Sequence, residues 1–167
     1  MSAAVVVPLS ATSTGDAQAQ KTKGDDMMTL TPYLLFQGNC RQAMEFYNSC
    51  FGGDLTATAV KDSPAKDLFP AAQQNQIINA RLRSGKLDIS SSDWLRPDRI
   101  PVRGNTVCLY LSGTTLQGLK TIFESLSQGA EITVPLTQQF FGTYGALNDK
   151  FGVRWMFQTD EKADEKG

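Results

Sequence analysis

The chemistry open to this 167-residue chain is defined first by a missing residue: the sequence contains no histidine. That removes Ser-His-Asp and Cys-His nucleophilic arrangements and any metal site built on imidazole. Proton transfer would then fall to carboxylate, phenol or guanidinium groups, and the candidates are Asp88, Asp93, Tyr144 and Arg154. The cluster Ser90-Ser91-Ser92 has no base to activate it and reads as strand-edge hydrogen bonding. Cys40, Cys50 and Cys108 are odd in number and form no CxxC pair, which excludes a zinc knuckle and argues against a disulfide framework. They read as free thiols acting as small hydrophobes. Cys40 and Cys50 lie ten residues apart on one predicted helix, about 15 Å along it and on different faces, so they should not bridge.

The elements that must position these groups come in two copies. Shifting the chain by 75 residues lays Leu34-Leu35-Phe36-Gln37-Gly38 on Leu109-Tyr110-Leu111-Ser112-Gly113, Met44 on Leu119 and Phe51 on Leu126. Both segments read as strand, Gly turn, helix and Gly stop. Ala43, Met44, Phe46, Tyr47 and Phe51 form the first apolar stripe, with Asn39 as N-cap and Gly52-Gly53 as stop. Leu116, Leu119, Ile122, Phe123 and Leu126 form the second, capped by Thr114 or Thr115 and stopped by Gly129. Strands are expected at 55–60, 76–83 and 86–91 in the first half, and at 131–136, 142–148 and 153–158 in the second. Gly85 corresponds to Gly152, which places Ile89 on Met156. Each half is thus βαβββ, over residues 31–93 and 105–159, and the two sheets of this α+β domain are expected to cover each other's open faces.

Apolar residues make up 41% of the chain and charged residues 20%, enough for one packed domain, expected over residues 29–160. A net charge of −1 argues against nucleic-acid binding through bulk positive charge, and no apolar run approaches the roughly 18 residues of a membrane span. Residues 1–28 read as a disordered tail or a remnant export signal. Ala17-Gln18-Ala19 resembles a cleavage site, yet no Lys or Arg precedes Lys21. Residues 161–167 read as a charged tail. A cytoplasmic location is expected, or export if residues 1–19 belong to a signal.

Three segments carry a resemblance: PYLLFQGNCRQAMEFYNSCFGGDL from Pro32, INARLRSGKLDISSSD from Ile78, and FFGTYGALNDKFGVRWMF from Phe140. Together they resemble the PhnB-like branch of the vicinal oxygen chelate superfamily, which includes glyoxalase I, extradiol dioxygenases and antibiotic-sequestering resistance proteins. The resemblance implies a glyoxalase-like fold in which two βαβββ modules form a paired, U-shaped sheet with a cavity, usually in a homodimer. It implies no agreed reaction. Methyltransferase-type labels occur in this branch, but the chain shows no glycine-rich cofactor loop, and no cofactor is expected.

Metal-using relatives take ligands from the first and last strands of each module. The resemblance puts those positions at Pro32, at Thr106 or Val107, at Met156, and at Ile89 or, with a slip of one, Asp88. One carboxylate cannot close a hard-cation site, so no metal is expected. If Met156 faces the cavity, strand parity sends Arg154 and Gln158 the same way and Trp155 and Phe157 into the core. Arg154 would then need a carboxylate (Asp88, Asp93 or Asp149), solvent, or an acidic ligand. Leu34 and Phe36 are expected to face the cavity too, with Phe36, Phe140, Phe141 and Tyr144 as an aromatic wall. Asp93 is expected as a turn-former or a pocket-rim acceptor. The function expected is metal-free binding of a small molecule in a homodimer. The alternatives are a metal-independent isomerase- or lyase-type enzyme in the same cavity, and an assembly protein with a vestigial cavity.

Overall fold

The computed structural model describes residues 29–96, 98–113 and 115–161; the stretches 1–28 and 162–167, where tails were expected, lie outside the described residues, as does Thr114. The first module runs β1 (Tyr33–Phe36), α1 (Cys40–Phe51), β2 (Asp54–Ala59), β3 (Ile77–Ser84) and β4 (Leu87–Asp93). The second runs β5 (Leu109–Ser112), α2 (Leu116–Leu126), β6 (Glu131–Gln139), β7 (Gly142–Asn148) and β8 (Arg154–Thr159). Each module builds its own four-stranded sheet, in the orders β1-β4-β3-β2 and β5-β8-β7-β6. In both, the first strand pairs parallel with the last and the other pairs are antiparallel. The repeated βαβββ order and the α+β class are those the sequence predicts.

The helices form as the 3-4 spacing requires, with Cys40, Ala43, Met44 and Tyr47 buried on α1 and Leu116, Leu119, Phe123 and Leu126 buried on α2. Gly53, at φ +101°, lies so close to β3 that a Cβ there would meet the Arg83 carbonyl at 2.1 Å. Gly142 at the head of β7 is similarly constrained: φ is +118°, and a Cβ would stand 2.1 Å from the Thr159 carbonyl.

The helix-side faces of both sheets share one core. Phe36, Met44, Tyr47, Ile89, Phe123, Trp155 and Phe157 belong to the same buried cluster. The opposite faces are therefore left open rather than covering each other within the chain. Tyr33, on the first sheet's open face, is 51% exposed, and Tyr110, on the second's, is 53% exposed. An apolar interior can be shared on only one side of each sheet, and the helices supply that side.

The cap of α1 differs from expectation. Asn39 makes no side-chain capping bond. Asp93, at the end of β4, takes that part: one carboxylate oxygen accepts from the backbone N–H groups of Gly38 and Cys40, both at 2.9 Å, and the other from Ile77 N–H at 2.7 Å. Asp93 is thus a buried tie between α1, β3 and β4, not a cavity-rim group; its three amide donors replace the hydrogen bonds to water that burial removes. On α2, Thr115 does cap, accepting from Gly118 N–H at 3.2 Å. Glu161 also reaches back to the helix, its carboxylate accepting from Leu116 N–H and its carbonyl from the Thr143 hydroxyl, so the charged terminal stretch begins bound to the fold.

Candidate functional site

Strand β8 alternates as its sequence predicts. Trp155, Phe157 and Thr159 are buried, while Arg154, Met156 and Gln158 are half-buried on the open face. The register sets Asn148, Ala146 and Tyr144 of β7 beside them on one side, and Tyr110 and Ser112 of β5 beside Met156 and Gln158 on the other. The Tyr110 hydroxyl and Gln158 Oε1 lie 2.9 Å apart in a hydrogen bond, with the phenol donating. Cys108 donates to the Met156 thioether at 2.8 Å. Toward the β6–β7 turn, Tyr144 meets Phe141 edge-on at 6.2 Å, and Phe141 meets Phe140 at 4.9 Å. Three of the four aromatics expected to form a wall are therefore together, although Phe140, at the hairpin tip, is 92% exposed.

Phe36 is not among them. It is fully buried on the helix side, 6.4 Å from the Phe151 ring. Its register partner is Asp93, so β1 presents Tyr33 and Leu35, rather than Leu34 and Phe36, to the open face. All four residues of β1 are apolar, so the sequence pattern carried no parity signal. On β4 the two candidate positions face opposite ways. Ile89 is buried against the helix side and Asp88 takes the open face, the ordinary sorting of an aliphatic and a carboxylate across a half-buried strand.

Asp88 is already engaged. Arg81 Nε and Nη2 donate to its two carboxylate oxygens at 2.8 and 2.5 Å, and Arg83 Nε stands at 4.0 Å. The Arg81 fork, helped by charge, holds the Asp88 carboxyl below the usual carboxylate range. Asp88 lines a groove of about 510 Å³ between the modules, facing Cys108, Leu109 and Tyr110, but Met156 does not reach it.

Arg154 borders a separate cleft of about 480 Å³ with Asn105, Glu131, Asn148 and Lys150. Its guanidinium donates to the Asn105 carbonyl. Among the described residues no carboxylate lies within 4 Å of it. The three expected partners are occupied elsewhere: Asp88 by Arg81, Asp93 by backbone amides, and Asp149 by a buried cluster that sequence reasoning missed. One Asp149 oxygen accepts from Tyr47 OH at 2.7 Å and Trp155 Nε1 at 2.9 Å; the other accepts from Phe151 and Val153 N–H, both at 2.9 Å. Burial first, and the adjacent Asp149 charge second, push the Tyr47 phenol far above its ordinary value, so it remains the donor. The clue in the sequence is the D-K-F-G-V-x-W run, whose carboxylate and indole meet across the turn.

The metal implied by the fold family can be tested against these donors. Among the described residues no three His, Cys, Asp or Glu side chains converge. The last-strand position holds a thioether whose sulfur meets only a thiol, and Asp88 is locked to Arg81. A soft sulfur pair and a distant, engaged carboxylate do not fit a hard divalent cation.

Residues 28–158 match the model of the 3-demethylubiquinone-9 3-methyltransferase family. The protein PA1353 from Pseudomonas aeruginosa is 32% identical, with a TM-score of 0.69 over 81% of this chain and 99% of that one. The PhnB protein from Bacillus cereus is 24% identical, with a TM-score of 0.64 over 79% and 99%. A glyoxalase family protein from Bacillus cereus is 14% identical and shares the fold, with a TM-score of 0.57 over 84% and 97%. The match over residues 28–158 places the chain in the 3-demethylubiquinone-9 3-methyltransferase family, and its two βαβββ modules share the fold of the glyoxalase family protein.

Proposed function

We propose that this protein binds a small acidic molecule without a metal ion, working as a homodimer. The observation that carries the reading is Arg154. It is a half-buried guanidinium on the open face of β8, beside a cleft, bonded to one carbonyl and with no carboxylate within 4 Å among the described residues. A cation so placed retains most of its capacity to bind an anion. Lys150 adds a second cation to the cleft, and Asn105 and Asn148 add neutral polar groups, while Met156, Tyr144 and Gln158 continue the same open sheet face beyond it. Proton transfer has less support, because Asp88, held ionised by Arg81, is a weakened base.

The dimer rests on the open sheet faces. Tyr33, Leu35 and Tyr110 are apolar or aromatic and uncovered within one chain, and a twofold assembly is the commonest way to cover such faces. Light scattering at micromolar concentration should report twice the chain mass. The binding reading is tested by thermal shift against a panel of carboxylic and phosphorylated metabolites, using the wild-type protein and Arg154→Met. A ligand at 100 times its dissociation constant adds about 2.7 kcal/mol. Stabilisation by acidic compounds that Arg154→Met abolishes supports the reading; identical responses from the two proteins refute it.

A further inference from the structure

The Arg154 cleft also holds a negative charge. Three strands lay one row of side chains across it: Glu131 of β6 stands opposite Asn148 of β7, and Asn148 opposite Arg154 of β8. Directly opposed residues of antiparallel strands present their side chains on the same face, and all three line the cleft. Each step between such Cβ atoms is about 4.5–5.5 Å, so the stems of Glu131 and Arg154 stand about 10 Å apart with a neutral amide between them. Hydrogen bonds keep the two charges separate. One Glu131 oxygen accepts from Asn148 Nδ2 at 2.9 Å, and the Arg154 guanidinium is drawn the other way, to the Asn105 carbonyl. Among the described residues Glu131 has no Lys or Arg nitrogen within 4 Å, just as Arg154 has no carboxylate. The remaining charges at the cleft are engaged elsewhere. Both Asp149 oxygens are taken by the Tyr47, Trp155, Phe151 and Val153 donors, and Lys150 Nζ stands 3.7 Å over the centre of the Phe46 ring.

Resting on the reading of Arg154 as an anion site, we infer that the ligand is a zwitterion of the amino acid type, whose carboxylate meets Arg154 and whose ammonium meets Glu131. A lone exposed carboxylate would simply be solvated. What makes Glu131 part of a site is its place in a row with Arg154, at a separation set by the strand register, with neither charge neutralising the other. A plain acid bound at Arg154 would bring its charge toward that of Glu131, and a plain amine at Glu131 would approach Arg154. A molecule carrying both charges matches both ends of the row, so the pair selects against ligands that carry only one. The cleft, at about 480 Å³, has the size of a small-molecule site.

The test compares acids that differ only in the ammonium group: L-norleucine with hexanoate, and 4-aminobutanoate with butanoate. The first pair carries the ammonium next to the carboxylate and the second at the far end of the chain, so the two arms separate the two spacings. Isothermal titration calorimetry on the full chain reads binding. In at least one pair the ammonium should tighten binding about fivefold, as expected of an ion pair at an open cleft. Glu131→Gln, which keeps an oxygen for Asn148 Nδ2, should erase that preference and leave the binding of the plain acid unchanged or tighter. Arg154→Met should weaken both members of the pair. Arg154-dependent binding in which the ammonium makes less than about a twofold difference in both pairs overturns the inference and leaves the acidic-ligand reading standing. A preference that survives Glu131→Gln does the same. No Arg154-dependent response to any of the four probes up to about 10 mM overturns both.

Discussion

Replacing Tyr47 with Phe removes one oxygen from the interior and leaves the ring in place. That oxygen donates at 2.7 Å to the buried carboxylate of Asp149, 102 residues away in the other module. A hydrogen bond to a charged group contributes about 1.5–3 kcal/mol. Asp149 retains three donors after the change, from Trp155, Phe151 and Val153, so the loss belongs near the lower end, about 1.5–2 kcal/mol. For a domain of this size each kcal/mol lowers the melting temperature by roughly 2–4 °C, giving about 3–8 °C. Urea unfolding should show a lower midpoint with an unchanged slope. A double-mutant cycle with Asp149→Asn isolates the pair: in that background Tyr47→Phe should cost about 1 kcal/mol less, because the acceptor has lost its charge. Because Trp94 ends one module and Trp155 lies in the other, single-Trp variants report each half separately, and the shared core predicts coincident transitions. A cost below about 0.5 kcal/mol, or additive effects in the cycle, would refute the assignment of Asp149 as the link between modules.

Other outcomes follow from the same structure. Arg154→Met should change stability by less than about 1 kcal/mol, since no buried carboxylate is stranded by it; a loss of 3 kcal/mol or more in urea melts would show an internal partner. Cys40 is fully buried, and burial, only partly offset by a hydrogen bond with Ser91, pushes its thiol up to about 11. It should resist alkylation in the native state, and because the unfolded thiol ionises near 9.0, its stabilising contribution should be lost as pH rises from there toward about 11. A Cys40→Ala variant with an unchanged alkaline stability profile would contradict this. Asp88 has the opposite sign: its carboxyl is depressed, so its contribution is present above its ordinary value near 3.8 and lost as pH falls through the lower folded value. The stability difference between wild type and Asp88→Asn should therefore shrink on acidification, as measured by urea midpoints at about pH 6 and about pH 3. Gly53→Ala should cost several kcal/mol, because the new methyl strikes the Arg83 carbonyl at a positive φ; a tolerated substitution would mean that the α1–β2 turn can shift.

How much of this the sequence revealed depended on contrast between neighbouring residues. The two modules were legible because Gly turns and 3-4 apolar stripes recur in the same order, and β8 was legible because Arg154, Met156 and Gln158 alternate with Trp155 and Phe157. β1 offered no contrast: Tyr33, Leu34, Leu35 and Phe36 are all apolar, and the parity chosen for Phe36 was off by one. The roles of Asp93 and Asp149 were hidden for a different reason. Their donors come from residues far apart in sequence, such as Gly38 for Asp93 and Tyr47 for Asp149, and a carboxylate bound by the interior looks, in sequence, like one available for chemistry. The pairing of Asp88 with Arg81 was equally invisible, because it depends on the β3–β4 register rather than on spacing.

The Asp93 tie also bears on the order in which the chain assembles. Helix α1 follows directly on β1, yet the acceptor for its first amides arrives only with the last residue of β4, 53 residues beyond Cys40. The same strand supplies the parallel partner of β1, so one docking event closes a long loop and completes the helix end together. Loop-closure entropy opposes such an event until the contacts form, and non-local parallel pairing is slow for that reason. The topology therefore predicts that the antiparallel pairs β2–β3 and β3–β4 form before the parallel pair β1–β4, and that the arrival of Asp93 commits the first module. A carboxylate read in sequence as a turn-former acts in folding as a latch, and Asp93→Asn should slow the folding limb of the chevron more than it speeds the unfolding limb.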